Sequence, residues 1–228
     1  MLDDMELVKE MELLDKEIFE GLESPEEKRT NDIKSILRRN TETIVDDNVE
    51  AVFNYTDTDG NIVYRVLKQK KGERFVVQNY KNGNFEYGLN GTKKIPYKLE
   101  NIANADNKII FIVNGERKVD EFQTLGFTSI TAPFNSTHKW KKEFNNYLKT
   151  SRGVIIIEDN KEDSAEYAQN TFETIKKDIS NVGIVAIRDM AKILNVELEE
   201  NTDIIDLKEK LNNDDEFKNL LTELEKQM

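Results

Sequence analysis

Four short strand-like runs, at residues 109–113, 128–131, 154–157 and 182–187, all but the second apolar, are separated from one another by stretches of helical periodicity. That alternation constrains the fold more than any other feature of the chain. Ile109 through Val113 and Val154 through Ile157 are continuously apolar, the pattern of strands buried on both faces. Helices are expected over about 116–125, 139–148 and 162–177, the first closed by Gly126. Repeated strand–helix–strand order predicts an α/β fold: a mostly parallel four-stranded sheet with helices flanking it.

The segment before this unit has a different period. Val52, Phe53 and Tyr55 lead into the turn Asp57-Thr58-Asp59-Gly60, and residues 62–67 follow it, which is a hairpin signal. Phe75-Val76-Val77, a turn at 81–84 and Phe85-Glu86-Tyr87 extend the hairpin into a small antiparallel sheet. Both ends of the chain read as helices. The expected organisation is an acidic helical segment at 1–45, a basic antiparallel β subdomain at 46–106, the α/β unit at 107–189, and acidic helices at 190–228.

Charge divides along the same boundaries. The chain carries a formal net charge of −12, yet residues 62–98 hold nine bases and only two acids, Glu73 and Glu86. Residues 1–50 hold 16 acids against 7 bases, and residues 189–228 hold 12 against 5. A basic island in an acidic chain suggests a polyanionic strand as ligand. Arg65, Lys68, Lys70, Lys71, Arg74, Lys93, Lys94 and Lys98 are the candidate phosphate contacts. Tyr64, Phe75, Tyr80, Phe85, Tyr87 and Tyr97 are interleaved with them, either as bases' stacking partners or as the inner face of the small sheet. The acidic ends are expected to face a basic protein partner.

With no Cys and one His, thiolate and imidazole metal sites are excluded, and any metal must sit on carboxylates. No apolar run approaches the ~20 residues of a membrane span, so no membrane partner is expected and the chain is read as cytoplasmic. In a parallel sheet, ligands bind beyond the carboxyl ends of the strands. Two of those ends carry acids, Glu116 after the first strand and Asp159 after the third. If these strands are neighbours, both acids face one crevice, with Asp120 one turn beyond Glu116 and Asp203 and Asp206 brought in from the C-terminal segment. Such a cluster suits Mg²⁺ or Mn²⁺. On spacing alone, acids in the first turn of a helix are equally explained by its dipole.

At these residues the chain resembles a known family. Ile110-Phe111-Ile112-Val113-Asn114-Gly115-Glu116 with Asp120 is similar to the first motif of Toprim domains, and residues 153–164, ending Glu158-Asp159-Asn160-Lys161-Glu162-Asp163-Ser164, to the second. Leu125-Gly126-Phe127, His138-Lys139-Trp140 and Tyr147-Leu148 resemble the spacing of phage and plasmid primase-type Toprim proteins. Upstream, residues 54–60 and 91–99 resemble the basic subdomain that precedes Toprim in those proteins, so the likeness runs over about 48–207. It implies a DNA primase-type protein handling single-stranded DNA or RNA with a divalent ion. Glu116 would be the general acid/base, and Glu116, Asp120, Asp159, Asp203 and Asp206 the metal ligands. If active, it would be a Mg²⁺-dependent nucleotidyltransferase or a Toprim nuclease.

The departures from the family pattern are specific. Lys161 stands where the second acid of an Asp-x-Asp motif is usual, Ser164 replaces a glycine, and Asn114 replaces the acid before Gly115. They imply reduced or absent catalysis. The alternative is a Toprim fold turned binding module, acting on a protein such as a host defence (CRISPR-type) nuclease in the cytoplasm of a phage's host.

Overall fold

A computed structural model describes residues 48–70, 75–134, 139–211 and 213–228. The expected N-terminal helices, Lys71, Arg74 and His138 lie outside the described residues. Residues 48–81 and 85–228 belong to one compact unit containing two four-stranded sheets.

The first sheet is antiparallel, in the order β1 (Val49–Thr56), β2 (Ile62–Gln69), β3 (Phe75–Lys81), β4 (Asn84–Tyr87). Its first turn forms at the expected site. The Asp57 carboxylate accepts the Asp59 and Asn61 amides at 3.0 and 2.9 Å, an Asx-type turn that folds β2 back on β1. The register places Tyr55 opposite Tyr64. The two rings stack 4.4 Å apart and are fully buried.

A strap then crosses to the second sheet, where Tyr97 bridges to Thr131 through a 2.9 Å backbone hydrogen bond. A short 3-10 helix, Leu99–Asn104, follows. The second sheet contains β5 (Ile109–Ile112), β6 (Ser129–Ile130), β7 (Gly153–Glu158) and β8 (Val182–Ala186), in the order β6-β5-β7-β8 and parallel throughout. Every residue of β5 is buried, as its unbroken apolar run requires. The helices are α1 (Glu116–Thr124), α2 (Ser164–Ile175), α3 (Ile187–Leu194), α4 (Ile204–Glu209) and α5 (Asp214–Gln227).

One helix expected from the sequence differs in kind. Residues 142–148 form a 3-10 helix rather than an α-helix. Phe144 and Leu148 are both buried, so the apolar spacing is satisfied by either geometry. The acidic C-terminus forms helices, and the last of them packs into the core. Phe217 and Leu221 of α5 are buried in the common core, and Phe217 meets Phe122 edge-on at 6.3 Å. Its acids Asp214, Asp215 and Glu216 fill the first helical turn, where they complement the dipole, and Asn213 caps the amides of Asp215 and Glu216. Three of the 12 acids in residues 189–228 are therefore accounted for by helix formation.

Candidate functional site

The parallel sheet places β5 and β7 side by side, so the turns leaving them open on one cleft of about 510 Å³. Gly115 makes the first turn possible. Its φ of 124° with ψ of 146° is a backbone state essentially restricted to glycine, and it swings the chain from strand into helix within two residues. Glu116 thereby opens α1 at the cleft. The cleft is lined by Asn114, Glu116, Lys118, Asp159, Lys161 and Asp203 from the parallel unit, and by Phe53, Lys68 and Phe75 from the antiparallel one.

The carboxylates are brought together as two separate groups. Glu116 is buried and accepts the Tyr55 hydroxyl at 2.6 Å across the two sheets. Burial pushes its carboxyl above the ordinary range, and the Tyr55 hydrogen bond only partly offsets this. One turn on, Asp120 turns to Tyr97, whose hydroxyl lies 3.0 and 3.2 Å from its two oxygens, with the Lys98 ammonium at 3.8 Å.

The second group surrounds Lys118. This residue is 6% exposed, and its ammonium contacts Asp159 closely and Asp203 at 3.3 Å. Lys161 approaches the same Asp203 oxygen at 3.0 Å. Asp203 is also the N-cap of α4, accepting the amides of Ile205 and Asp206 at 3.0 and 3.3 Å, while Asp206 returns a bond to the Asp203 amide. Asp206 is thus half of a capping box. Burial pushes Asp159 up against the opposing pull of Lys118. For Asp203 burial acts in the same upward sense, but Lys118 and Lys161 outweigh it and hold the carboxyl at about 2.

That depressed value has a testable sign. A carboxyl lowered from 3.8 to about 2 contributes stability above pH 4, which is lost as pH falls through 2. At ~1.4 kcal/mol per unit this amounts to about 2 kcal/mol. Asp203→Asn is expected to lose roughly that much at pH 7 and to converge with wild type near pH 2 in urea titrations. Parallel stability curves across this range would contradict it.

These donors do not fit a divalent cation. Among the described residues no three acidic or imidazole side chains are grouped to hold one. Of the five acids expected to serve as ligands, two are hydrogen-bonded to tyrosines, two contact lysine ammonium groups, and the fifth caps a helix. Sequence reasoning placed Lys161 beside the acids but missed Lys118, Tyr55 and Tyr97. Lys118 carried one signal: it adjoins Val119 on the buried face of α1, where a lysine needs a carboxylate partner.

The basic residues are scattered in circumstance. Arg65, expected to contact phosphate, is buried, with Nε donating to Gln78 at 2.7 Å and its guanidinium 3.6 Å from the centre of the Phe85 ring. Lys68 pairs with Glu50 at 2.8 Å, and Lys98 lies near Glu100 and Asp120. Lys94 sits 4.8 Å over Phe134, whereas Lys70 and Lys93 are exposed. Of the interleaved aromatics, Tyr64 and Tyr97 are core, while Phe75 and Tyr87 are 45% and 77% exposed.

Solved structures share this arrangement of sheets. The DnaG catalytic core superposes with a TM-score of 0.55 at 12% identity over 75% of this chain and 52% of its own. The fold is that of primase Toprim cores. An E. coli primase catalytic core gives 0.54 at 14% identity, covering 75% of this chain and 51% of its own. A DnaG primase catalytic domain bound to ssDNA gives 0.54 at 12%, covering 75% and 52%. This chain spans about half the length of these proteins. No protein-family model and no curated protein sequence matches it. Among the described residues of this Toprim fold, no helix is long and apolar enough to cross a membrane.

Proposed function

We propose that this chain is a primase-like Toprim protein that binds single-stranded nucleic acid without catalysing nucleotidyl transfer. The observation carrying this reading is the pairing of Asp159 and Asp203 with the ammonium groups of Lys118 and Lys161. Two carboxylates with two lysines form a locally neutral cluster. The cluster itself has no excess negative charge to gather the hard ions that bridge phosphates in phosphoryl transfer. It also lacks the repulsion that bare acids would present to a polyanion. Binding is assigned to the exposed lysines Lys70 and Lys93 with Lys94, and to Phe75 and Tyr87 as stacking platforms. The likeness to a primase domain bound to ssDNA supports this assignment.

The test is fluorescence anisotropy with a labelled oligonucleotide, beside a primer-synthesis assay with Mg²⁺ or Mn²⁺. Wild type should bind equally well with and without chelator and should make no primer. Replacing Lys70, Lys93 and Lys94 together by Ala should lower the salt slope by about 2, given ~0.7 per phosphate contact on a single strand. An unchanged slope would remove nucleic acid from the reading. Primer synthesis that Glu116→Gln abolishes would restore an enzyme.

A second reading, favoured by the net charge of −12, is a binding module whose acidic surface engages a basic protein. It predicts no oligonucleotide binding at physiological salt.

A further inference from the structure

Lys118 stands at a position that helix electrostatics disfavours. It is the third residue of α1, in the turn where the unpaired amides already present positive charge. It is also buried, so its ammonium has given up most of its water. Two unfavourable terms must be offset locally, and the offset comes from Asp159 and Asp203. These carboxylates belong to separate elements, the end of β7 and the cap of α4, and they meet at one ammonium.

The carboxylates have a matching problem. Asp159 is 4% exposed, with one oxygen on Lys118 and the other accepting the Ile204 amide at 3.3 Å. Two anions converging in a buried cleft require countercharge, and together they call for two positive charges. A single divalent ion would supply both. Here Lys118 supplies one from within and Lys161 the other from the rim.

We propose that the Lys118 ammonium is the resident cation of this cleft, and that removing its charge turns Asp159 and Asp203 into a binding site for a hard divalent cation. The inference rests on the non-catalytic reading above and extends it by naming the residue that excludes metal. It also shifts the cause. Loss of carboxylates alone would leave a weak site that no lysine replacement improves, whereas a seated ammonium leaves a site that is latent. Exclusion by Lys118 is direct, because its Nζ contacts the same oxygens an ion would need.

The experiment uses the whole 228-residue chain as wild type, Asp159→Asn, Lys118→Met and Lys118→Met/Asp159→Asn. Free Mn²⁺ is followed by its electron paramagnetic resonance signal, and melting is followed with and without Mg²⁺. Methionine keeps most of the side-chain volume while deleting the charge. Lys118→Met should bind one Mn²⁺ at least about tenfold more tightly than wild type, as expected for removal of an adjacent like charge. Mg²⁺ should raise its melting temperature while leaving wild type unmoved, and Asp159→Asn in the same chain should erase both gains. If Lys118→Met is unfolded alone, Mn²⁺ or Mg²⁺ should restore its far-ultraviolet circular dichroism, and not that of the double variant.

The proposal is overturned if folded Lys118→Met binds no more Mn²⁺ than wild type, or if the unfolded variant is not rescued by either ion. It is also overturned if wild type itself holds Mn²⁺ at a site lost in Asp159→Asn. Failure of the non-catalytic reading is a different result, primer synthesis by wild type, and the two assays separate them.

Discussion

Asp159→Asn is expected to lower the unfolding free energy by about 3 kcal/mol, the lower end of the range for breaking a buried ion pair. The replacement leaves the Lys118 ammonium in place, 6% exposed, with Asp203 at 3.3 Å as its remaining carboxylate. Its size follows from what is stranded rather than from what is lost. A buried charge without its partner has neither water nor countercharge, while the Asp203 contact keeps the cost from the upper end. Removing both partners should be far milder. Lys118→Met/Asp159→Asn is expected within about 1.5 kcal/mol of wild type, because a buried pair and a neutral replacement often differ little. Chemical denaturation of the four chains in a double-mutant cycle measures both. A single-variant loss below about 1 kcal/mol would mean that Lys118 is effectively solvated, and the account of the cleft would fail with it.

The other large effect is at the joint between the sheets. Tyr55 is fully buried, stacks on Tyr64, approaches Tyr97 at 5.1 Å between ring centres, and donates to Glu116. Tyr55→Ala is expected to cost about 4 kcal/mol, as large aromatic truncations in cores do. Tyr55→Phe keeps the rings and removes only the hydroxyl, so about 1–2 kcal/mol is expected. The pH dependence separates the two causes. Burial already holds Glu116 above its usual value, and losing the hydroxyl raises it further. A carboxyl raised in the folded state destabilises fully above its folded value, and the penalty declines as pH falls through that value and is gone below the unfolded value of 4.5. The Tyr55→Phe deficit should therefore shrink on acidification, and the Tyr55→Ala deficit, which lacks the same hydroxyl, should shrink by a similar amount while its larger packing loss persists. Equal deficits at pH 7 and pH 4.5 in both variants would contradict the role given to this hydrogen bond.

How much of this was legible beforehand depended on range. The parallel strands announced themselves because burial on both faces leaves no polar alternation, as at residues 109–113 and 154–157. The β1–β2 turn was equally plain, because Asp57 and Gly60 are residues a turn needs. Glu116, Asp159, Asp203 and Asp206 line the cleft, since strand ends are readable, whereas Asp120 turns to Tyr97. Their partners were not legible. Lys118 and Asp159 are 41 positions apart and Tyr55 and Glu116 are 61, and no periodicity links residues across such separations. Asp206 shows the converse error of reading a short-range signal as a long-range one. An acid three residues after Asp203 is a capping box before it is anything else, and that is its role. Arg65 erred similarly, because a count of bases cannot tell a solvated side chain from one laid over Phe85.

Lys118 has one consequence that concerns the surroundings rather than the fold. A diffusible ion stabilises a protein by mass action, in proportion to the logarithm of its free concentration, and is lost to dilution or competition. A cation anchored to its own backbone has no such dependence. If Lys118 excludes metal as proposed, the charge of the cleft should stay constant whether its surroundings are rich or poor in magnesium. The electrostatic character of that surface would then be set by the chain alone.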